Sequence, residues 1–421
     1  MDLKIIASRL DQQQQRLEGD VLERFLRYVK IHTTSDPDND ACPSSDRQFD
    51  LARVLHQELH SLGIEDLVIT KECYVLARVP GNCQVDPICF LAHMDTSPDV
   101  SGQDVKPRLW KNYDGKKLDI GNAIVLDPAE NPLLARYVGQ TIITTSGDTL
   151  LGADDKAGVA EIMTAIKFFV ENPDIPRPPL EILFTPDEEI GRGLDGFSLD
   201  MLQSKVAYTF DGGEEGEIEA ECFSAARARI AFQGVAIHPG YARGRMVNAV
   251  SMAAAFVGML PRNESPEATD EREGYYAPVQ IRGTLDVAEV EVNLRDFEAD
   301  GLERRVALIE QSAETIRRQF PGGRVSVEVN NQYKNMRDAI AQNPLLMERA
   351  RQAIKATGIQ PLERSIRGGT DGARLTEMGV PCPNIFAGGI NFHSRKEWIA
   401  LPAMVRAVQT AIYLTCFWSA S

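Results

Sequence analysis

Apolar residues recur every three or four positions at Leu22, Phe25, Leu26 and Val29, and again at Leu51, Val54, Leu55, Leu59 and Leu62. Both series predict amphipathic helices, joined by a polar loop rich in Asp, Pro and Ser. The residues before Val21, which include the run Gln12 to Gln15, read as a helical but weakly specified extension. Further on, short continuous apolar runs end in polar clusters. Ile88 to Ala92 precedes His93, and Leu180 to Thr185 precedes Pro186-Asp187-Glu188-Glu189. Val206 to Phe210 precedes Asp211, and Ile385 to Ala387 precedes a glycine pair and His393. Buried strands of this kind, alternating with helices such as Lys156 to Val170, predict an α/β sheet covered on both faces. Ligand sites in such sheets gather beyond the carboxyl ends of the strands.

The stretch from about Ser224 to Met336 has another texture. Its pattern predicts a strand over Ala226 to Ile237, a helix over Asn248 to Leu260, two strands over Val279 to Thr284 and Ala288 to Leu294, a helix over Leu302 to Phe320 and a strand over Arg324 to Val329. That β-α-β-β-α-β order is a ferredoxin-like sandwich. Since α/β texture resumes at Leu345, the expected organisation is a first part over 1–222, an inserted domain over 223–336 and a second part over 337–421.

Composition narrows the class. The chain of 421 residues is 43% hydrophobic and 25% charged, as an ordinary globular protein is. Its net charge of −16 and the lack of any long Lys/Arg run make nucleic acid an unexpected partner. No stretch of about 18 apolar residues predicts a membrane span, and the start lacks the pattern of a signal peptide. A cytoplasmic protein without membrane association is expected. The seven cysteines are scattered, with no C-x-x-C pair, and read as reduced core thiols.

Six histidines can be weighed singly. His56 and His60 are four apart on a predicted helix, but they fall on its solvent side and lack the H-E dipeptide of zinc-protease helices. His32 has no obvious partners. His93 ends a buried strand and is followed by Asp95, a carboxylate placed to orient an imidazole; by itself this string equally fits a structural histidine. Asp154 and Asp155 open a helix, where capping alone explains acids. The three carboxylates Asp187, Glu188 and Glu189 repel one another unless a positive charge lies nearby, though a solvated strand end is the plain alternative. With Asp211 and His393 added, the set makes an oxygen- and nitrogen-rich pocket suited to zinc, with cobalt or manganese as substitutes.

In combination these motifs resemble the dinuclear zinc exopeptidases, the family that includes carboxypeptidase G and succinyl-diaminopimelate desuccinylase. The resemblance runs from about Leu22 to Tyr413 through HMDTSPDVSG, TLLGADDKAG, AYTFDGG, HPG, MVNA, RGGTDGA and PCPNIFAGG. It implies an α/β catalytic domain with a mixed sheet flanked by helices, interrupted by a ferredoxin-like lid and dimerisation domain. It also implies two Zn²⁺ per chain, one held by His93 and Asp211, the other by Glu189 and His393, with Asp154 bridging both. Glu188 would be the general base, Asp95 the orienter of His93, and a cis peptide would join Asp154 to Asp155. Two dications against three ligand carboxylates leave a core of about +1, suited to a developing oxyanion.

From the inserted domain the resemblance nominates His238, Asn248 and Arg295 for substrate binding, with Arg367 a further carboxylate candidate. His238 would reach across a homodimer. His-Pro-Gly is also plain turn chemistry, and Arg295 also fits a local ion pair with Asp296. The match is close to the branch that removes the N-terminal residue from tripeptides. A carboxypeptidase, dipeptidase or N-acyl amino-acid hydrolase would use the same scaffold, and a catalytically silent binding protein is the reading from another class. Two stretches depart from that branch's pattern beside the expected ligands: Glu214-Glu215, and Ile390 to Glu397 around Asn391 and Phe392.

Overall fold

A computed structural model describes residues 3–419. The chain divides into two compact units. One comprises Met1–Ala220, Asp338–Arg364 and Thr370–Ser421; the other comprises Glu221–Arg337 and Ser365–Gly369. Among the described residues no helix is long and apolar enough to cross a membrane.

The first unit is built on a mixed sheet whose strand order is Leu67–Ile69, Val75–Val79, Leu180–Thr185, Ile88–His93, Ala207–Gly212, Asn384–Phe386, Glu217–Cys222, Leu362–Ile366. Four neighbours at its centre run parallel: Leu180–Thr185, Ile88–His93, Ala207–Gly212 and Asn384–Phe386. Ile88–His93 and Leu180–Thr185 are buried along their whole length, which is why they read as apolar runs rather than alternating ones; the exception, Glu181, is paired with Arg78. Cys89 and Leu91 face the helix Asp371–Glu377 through Leu375, while the long helix Ala153–Glu171 packs against the same central strands and against the C-terminal helix Leu401–Trp418. A second antiparallel sheet orders Gly389–Ile390, Trp398–Ala400, Ile142–Thr144 and Arg108–Trp110.

The N-terminal extension is helical, as expected, and is packed more firmly than its sequence suggested. A single helix spans Leu3–Tyr28, joining the extension to the pattern from Val21 onward, and Ile6, Leu10, Leu17, Val21, Phe25 and Tyr28 are all buried. Those positions keep helical spacing across the glutamine run, so the polar run is only the outer face of an amphipathic helix packed on Ala153–Glu171 and Leu401–Trp418. The cysteines are all free thiols; five are buried, whereas Cys42 and Cys83 are half-buried and not core residues.

One contact sets how near the helix Ala153–Glu171 comes to the sheet. A Cβ at Gly158 would lie 2.0 Å from the Phe210 carbonyl oxygen and 2.5 Å from Asp155 Oδ1. Gly158→Ala should therefore destabilise the protein by about 1–3 kcal/mol, because the overpacked backbone contact outweighs the roughly 1 kcal/mol gain in helix propensity. Urea unfolding of the variant checks this; equal or greater stability would show that the helix can move away at little cost.

The second unit is an antiparallel sheet in the order Tyr275–Gly283, Val287–Asp296, Ser224–Gln233, Arg324–Tyr333, with helices Ala249–Val257 and Ala299–Gln319 in the connections. Ser224–Gln233 alternates buried and exposed residues over most of its length. Its inward side chains Ala226, Ala228, Ile230 and Phe232 pack with Met252, Phe256, Ile309 and Ile316 of the helices, so the period of two reflects a sheet covered on one face.

Candidate metal centre

Register brings the polar strand ends together. His93 pairs in parallel register with Thr185, and Asp211 lies one residue before the end of Ala207–Gly212 on the other side of Ile88–His93. The turn after Thr185 puts Asp187 in the left-handed region (φ 55°) and starts a single 3₁₀ turn, Glu188–Ile190. The other two groups are not at carboxyl ends of that sheet, which departs from the sequence reading for His393 and agrees with it for Asp154. Asp154 stands at the start of the helix Ala153–Glu171, and His393 lies in the loop between Gly389–Ile390 and Trp398–Ala400 of the second sheet.

Two overlapping triads result. His93, Asp154 and Asp211 offer ligand atoms that all lie within 4.8 Å of one another, and so do Asp154, Glu189 and His393. Asp154 belongs to both, one oxygen for each imidazole. His93 Nε2 is 2.9 Å from Asp154 Oδ1 and 3.6 Å from Asp211 Oδ1; His393 Nε2 is 3.2 Å from Asp154 Oδ2 and 2.7 Å from Glu189 Oε2.

The surrounding groups hold these side chains in place. Asp95 Oδ1 is 3.3 Å from His93 Nδ1, and the two Asp95 oxygens accept the backbone N–H groups of Glu188 and Glu189 at 3.1 and 3.2 Å. Asp155 is joined to Asp154 by a cis peptide bond, and its carboxylate accepts N–H groups of His93 at 3.1 Å and Gly158 at 3.2 Å. Asp187 turns away from its two acidic neighbours and accepts hydrogen bonds from the Ser44 N–H and Gln48 Nε2, both at 2.7 Å. His393 Nδ1 lies 3.2 Å from Asp99.

Without a cation the cluster is electrostatically unbalanced. Burial pushes Asp211 up to about 6 and, aided by Asp154, Glu189 up to about 8. Burial also raises Glu188 well above the usual carboxylate range. For His93 and His393 burial acts downward, but hydrogen bonds to the acids overcome it; His93 is held well above its ordinary value and His393 at about 11. The protein thus holds several carboxyl groups against their preference, a cost that bound dications would remove. Glu189 Oε1 is buried and has no hydrogen-bond partner, an acceptor left unsatisfied. The donor set and this orphaned oxygen fit two divalent ions.

The matching family model covers residues 150–415 and is that of peptidase family M20/M25/M40. The chain belongs to this family. Relatives named Peptidase T include one from Geobacillus thermodenitrificans, 43% identical over 94% of this chain and 97% of its own. Another, from Vibrio parahaemolyticus, is 45% identical over 92% of this chain and 96% of its own. Among solved structures, an aminopeptidase from Bacillus cereus superposes with a TM-score of 0.73 at 22% identity, covering 96% of this chain and 99% of that one. At that identity the likeness speaks for the fold alone.

The expected substrate-binding residues lie in the second unit, where each has local partners. His238 Nδ1 accepts the Gly240 N–H at 3.1 Å, and Asn248 Oδ1 caps the helix Ala249–Val257 through Val250 at 2.9 Å. Arg295 donates to the carbonyls of Ala226 and Leu294 and lies over Tyr333. Its neighbour Asp296 pairs with Arg305 instead. Arg367 donates to the carbonyls of Glu271, Glu273 and Thr269, with the Phe223 and Tyr275 rings beside it.

The stretches that depart from the expected pattern have structural partners. Glu214 is held by Arg136 and Arg364, and Glu215 by Tyr137 and Arg406 at 3.0 Å each. The Asn391 amide donates to Asn131 and to the Lys396 carbonyl. Sequence reasoning missed the role of Asp187, and it missed Asp371, a buried acid raised to about 7 by burial and admitted by Gly193, where a Cβ would fall 2.0 Å from Asp371 Oδ1. The only signal for Asp371 was its place in the string RGGTDGA.

Proposed function

We propose that this protein is a di-zinc aminopeptidase that releases the N-terminal residue of short peptides, tripeptides foremost. The observation that carries the reading is the single carboxylate of Asp154 shared between two His-and-acid triads. A pair of dications a few ångströms apart requires an anionic ligand of this kind. In this reading His93 and Asp211 hold one ion, Glu189 and His393 the other, and Asp154 both. Two histidines and three carboxylates suit zinc, with Co²⁺ or Mn²⁺ as substitutes. Bound there, the ions would supply Lewis acidity to the scissile carbonyl and lower the pKa of water.

The chain's own groups do the rest. Glu188, which belongs to neither triad, accepts the proton of the attacking water and returns it to the departing amine. Asp95 ties ligand to base: the carboxylate that orients His93 also holds the N–H groups of Glu188 and Glu189. For the substrate we assign His238 to the oxyanion, Asn248 to the substrate backbone and Arg295 to the terminal carboxylate, a planar fork suited to a bidentate partner. Arg367, already engaged by three carbonyls, is the second choice for that carboxylate. His238 acts within a homodimer formed through the second unit, and the protein works in the cytoplasm. A fully active monomer by analytical ultracentrifugation would remove the dimer.

The reading is tested by metal analysis coupled to hydrolysis of di-, tri- and tetrapeptides, each with a free and an acetylated N-terminus. Two ions per chain and preferential cleavage of free-amine tripeptides are expected. Preference for blocked substrates would instead mark a carboxypeptidase or an N-acyl amino-acid hydrolase.

A further inference from the structure

Glu397 is 1% exposed and accepts hydrogen bonds from four successive backbone N–H groups. Its Oε2 takes those of Leu151 at 2.6 Å and Gly152 at 2.9 Å; its Oε1 takes those of Ala153 at 2.7 Å and Asp154 at 3.2 Å. These donors form the turn that leads into the helix Ala153–Glu171, whose backbone is not yet helical at Asp154 and Asp155. Asp155 caps the regular part locally by accepting the Gly158 N–H, but the N–H groups from Leu151 to Asp154 are taken up by Glu397. The acceptor for this turn therefore comes from a residue more than two hundred positions away in the chain.

The place of Glu397 in the chain gives this anchor a second consequence. Gly389–Ile390 and Trp398–Ala400 pair antiparallel, so the residues between them form a closed loop. His393 sits in this loop at φ 55° and Glu397 at its base. The loop is braced internally: Ser394 Oγ donates to the Asn391 carbonyl at 2.7 Å, Asn391 Nδ2 to the Lys396 carbonyl at 3.2 Å, and the Glu397 N–H to the Ser394 carbonyl at 3.3 Å. One carboxylate thus connects the loop that bears His393 to the backbone N–H of Asp154 itself.

We propose that Glu397 is a positioning residue for the metal centre, setting the Asp154 carboxylate at its distance from the His393 imidazole. It touches neither substrate nor ion; it acts through the backbone of one ligand and the loop of another. The inference rests on the di-metal reading given above. Groups that orient metal ligands in this way change metal affinity by about 10–100-fold when altered. Replacing the carboxylate by an amide turns one acceptor into a donor aimed at N–H groups, so the helix start must shift.

The test uses the full chain and its Glu397→Gln and Glu397→Asp variants, stripped of metal and titrated with Co²⁺ against a competing chelator while the visible spectrum is recorded. The wild type should take up two ions. Glu397→Gln should bind at least one of them about 10–100-fold more weakly, with an altered cobalt spectrum, and Glu397→Asp, which keeps the charge but is one methylene shorter, should fall between. A residue that only stabilised the fold would lower the melting temperature of the metal-free protein and leave cobalt affinity and spectrum unchanged; that result overturns the proposal.

Fewer than two ions on the wild type would instead overturn the di-metal reading. Should neither variant fold, amide exchange on the wild type decides. Coupling is reciprocal, so Co²⁺ must slow exchange at Leu151 to Asp154 if these bonds position the ligand. Unchanged exchange there overturns the proposal.

Discussion

Glu188→Gln is expected to lower kcat by about 10²–10⁴-fold while two metal ions per chain are retained. Glutamine has the size of glutamate and cannot accept the proton that a general base must take. The backbone N–H of residue 188 would still donate to Asp95, so the turn that also carries Glu189 keeps its anchor. Since Glu188 is in neither triad, uptake of both ions should be normal. An interaction used only in the transition state leaves KM little changed, and the loss should therefore fall on kcat. Steady-state kinetics with metal analysis on the same sample checks the prediction. A variant with more than a tenth of wild-type turnover would remove Glu188 from the mechanism, and one lacking metal would make it a ligand.

Asp154→Asn should have the larger effect, through a different route. This carboxylate is the one member common to both triads, 2.9 Å from one imidazole and 3.2 Å from the other. Asparagine keeps the shape but removes the anionic charge that two adjacent dications need between them. Metal content after dialysis should fall from two per chain to one or none, and turnover should drop beyond the roughly 10⁴-fold ceiling of general-base loss. The pair of variants therefore separates two failures, one with the ions in place and one without them. Two tightly held ions in Asp154→Asn would show that the triads bind independently, and the shared-ligand argument would fail.

How much of this could be read from the chain differs from one residue to the next. The strands ending at His93 and Thr185 were legible because a strand buried on both faces is mostly apolar, and the one acid in them, Glu181, is fully hydrogen-bonded. Strand ends are where polar groups then collect, which flagged His93, Glu188, Glu189 and Asp211. The first part of the helix Leu3–Tyr28 was read as helical but weakly specified because its buried positions straddle a glutamine run, and a solvent-facing stripe says nothing of what the other stripe packs on. Asp187, Glu188 and Glu189 look alike as a string, yet Asp187 faces Ser44 and Gln48 while its neighbours face the cluster. A left-handed φ at one residue separates them, and composition does not record it.

The order of residues alone determined the elements, the two textures of the chain and the chemical types in the centre, because these follow from local periodicity and from the side chains available to bind a cation. Only the tertiary structure brought the Asp154 carboxylate within reach of both imidazoles, brought His393 in from a second sheet, and set Glu397 against four N–H groups from the far end of the chain. Those relations depend on register between distant strands and on buried N–H groups finding acceptors, and such pairings are settled by packing, not by neighbours in sequence.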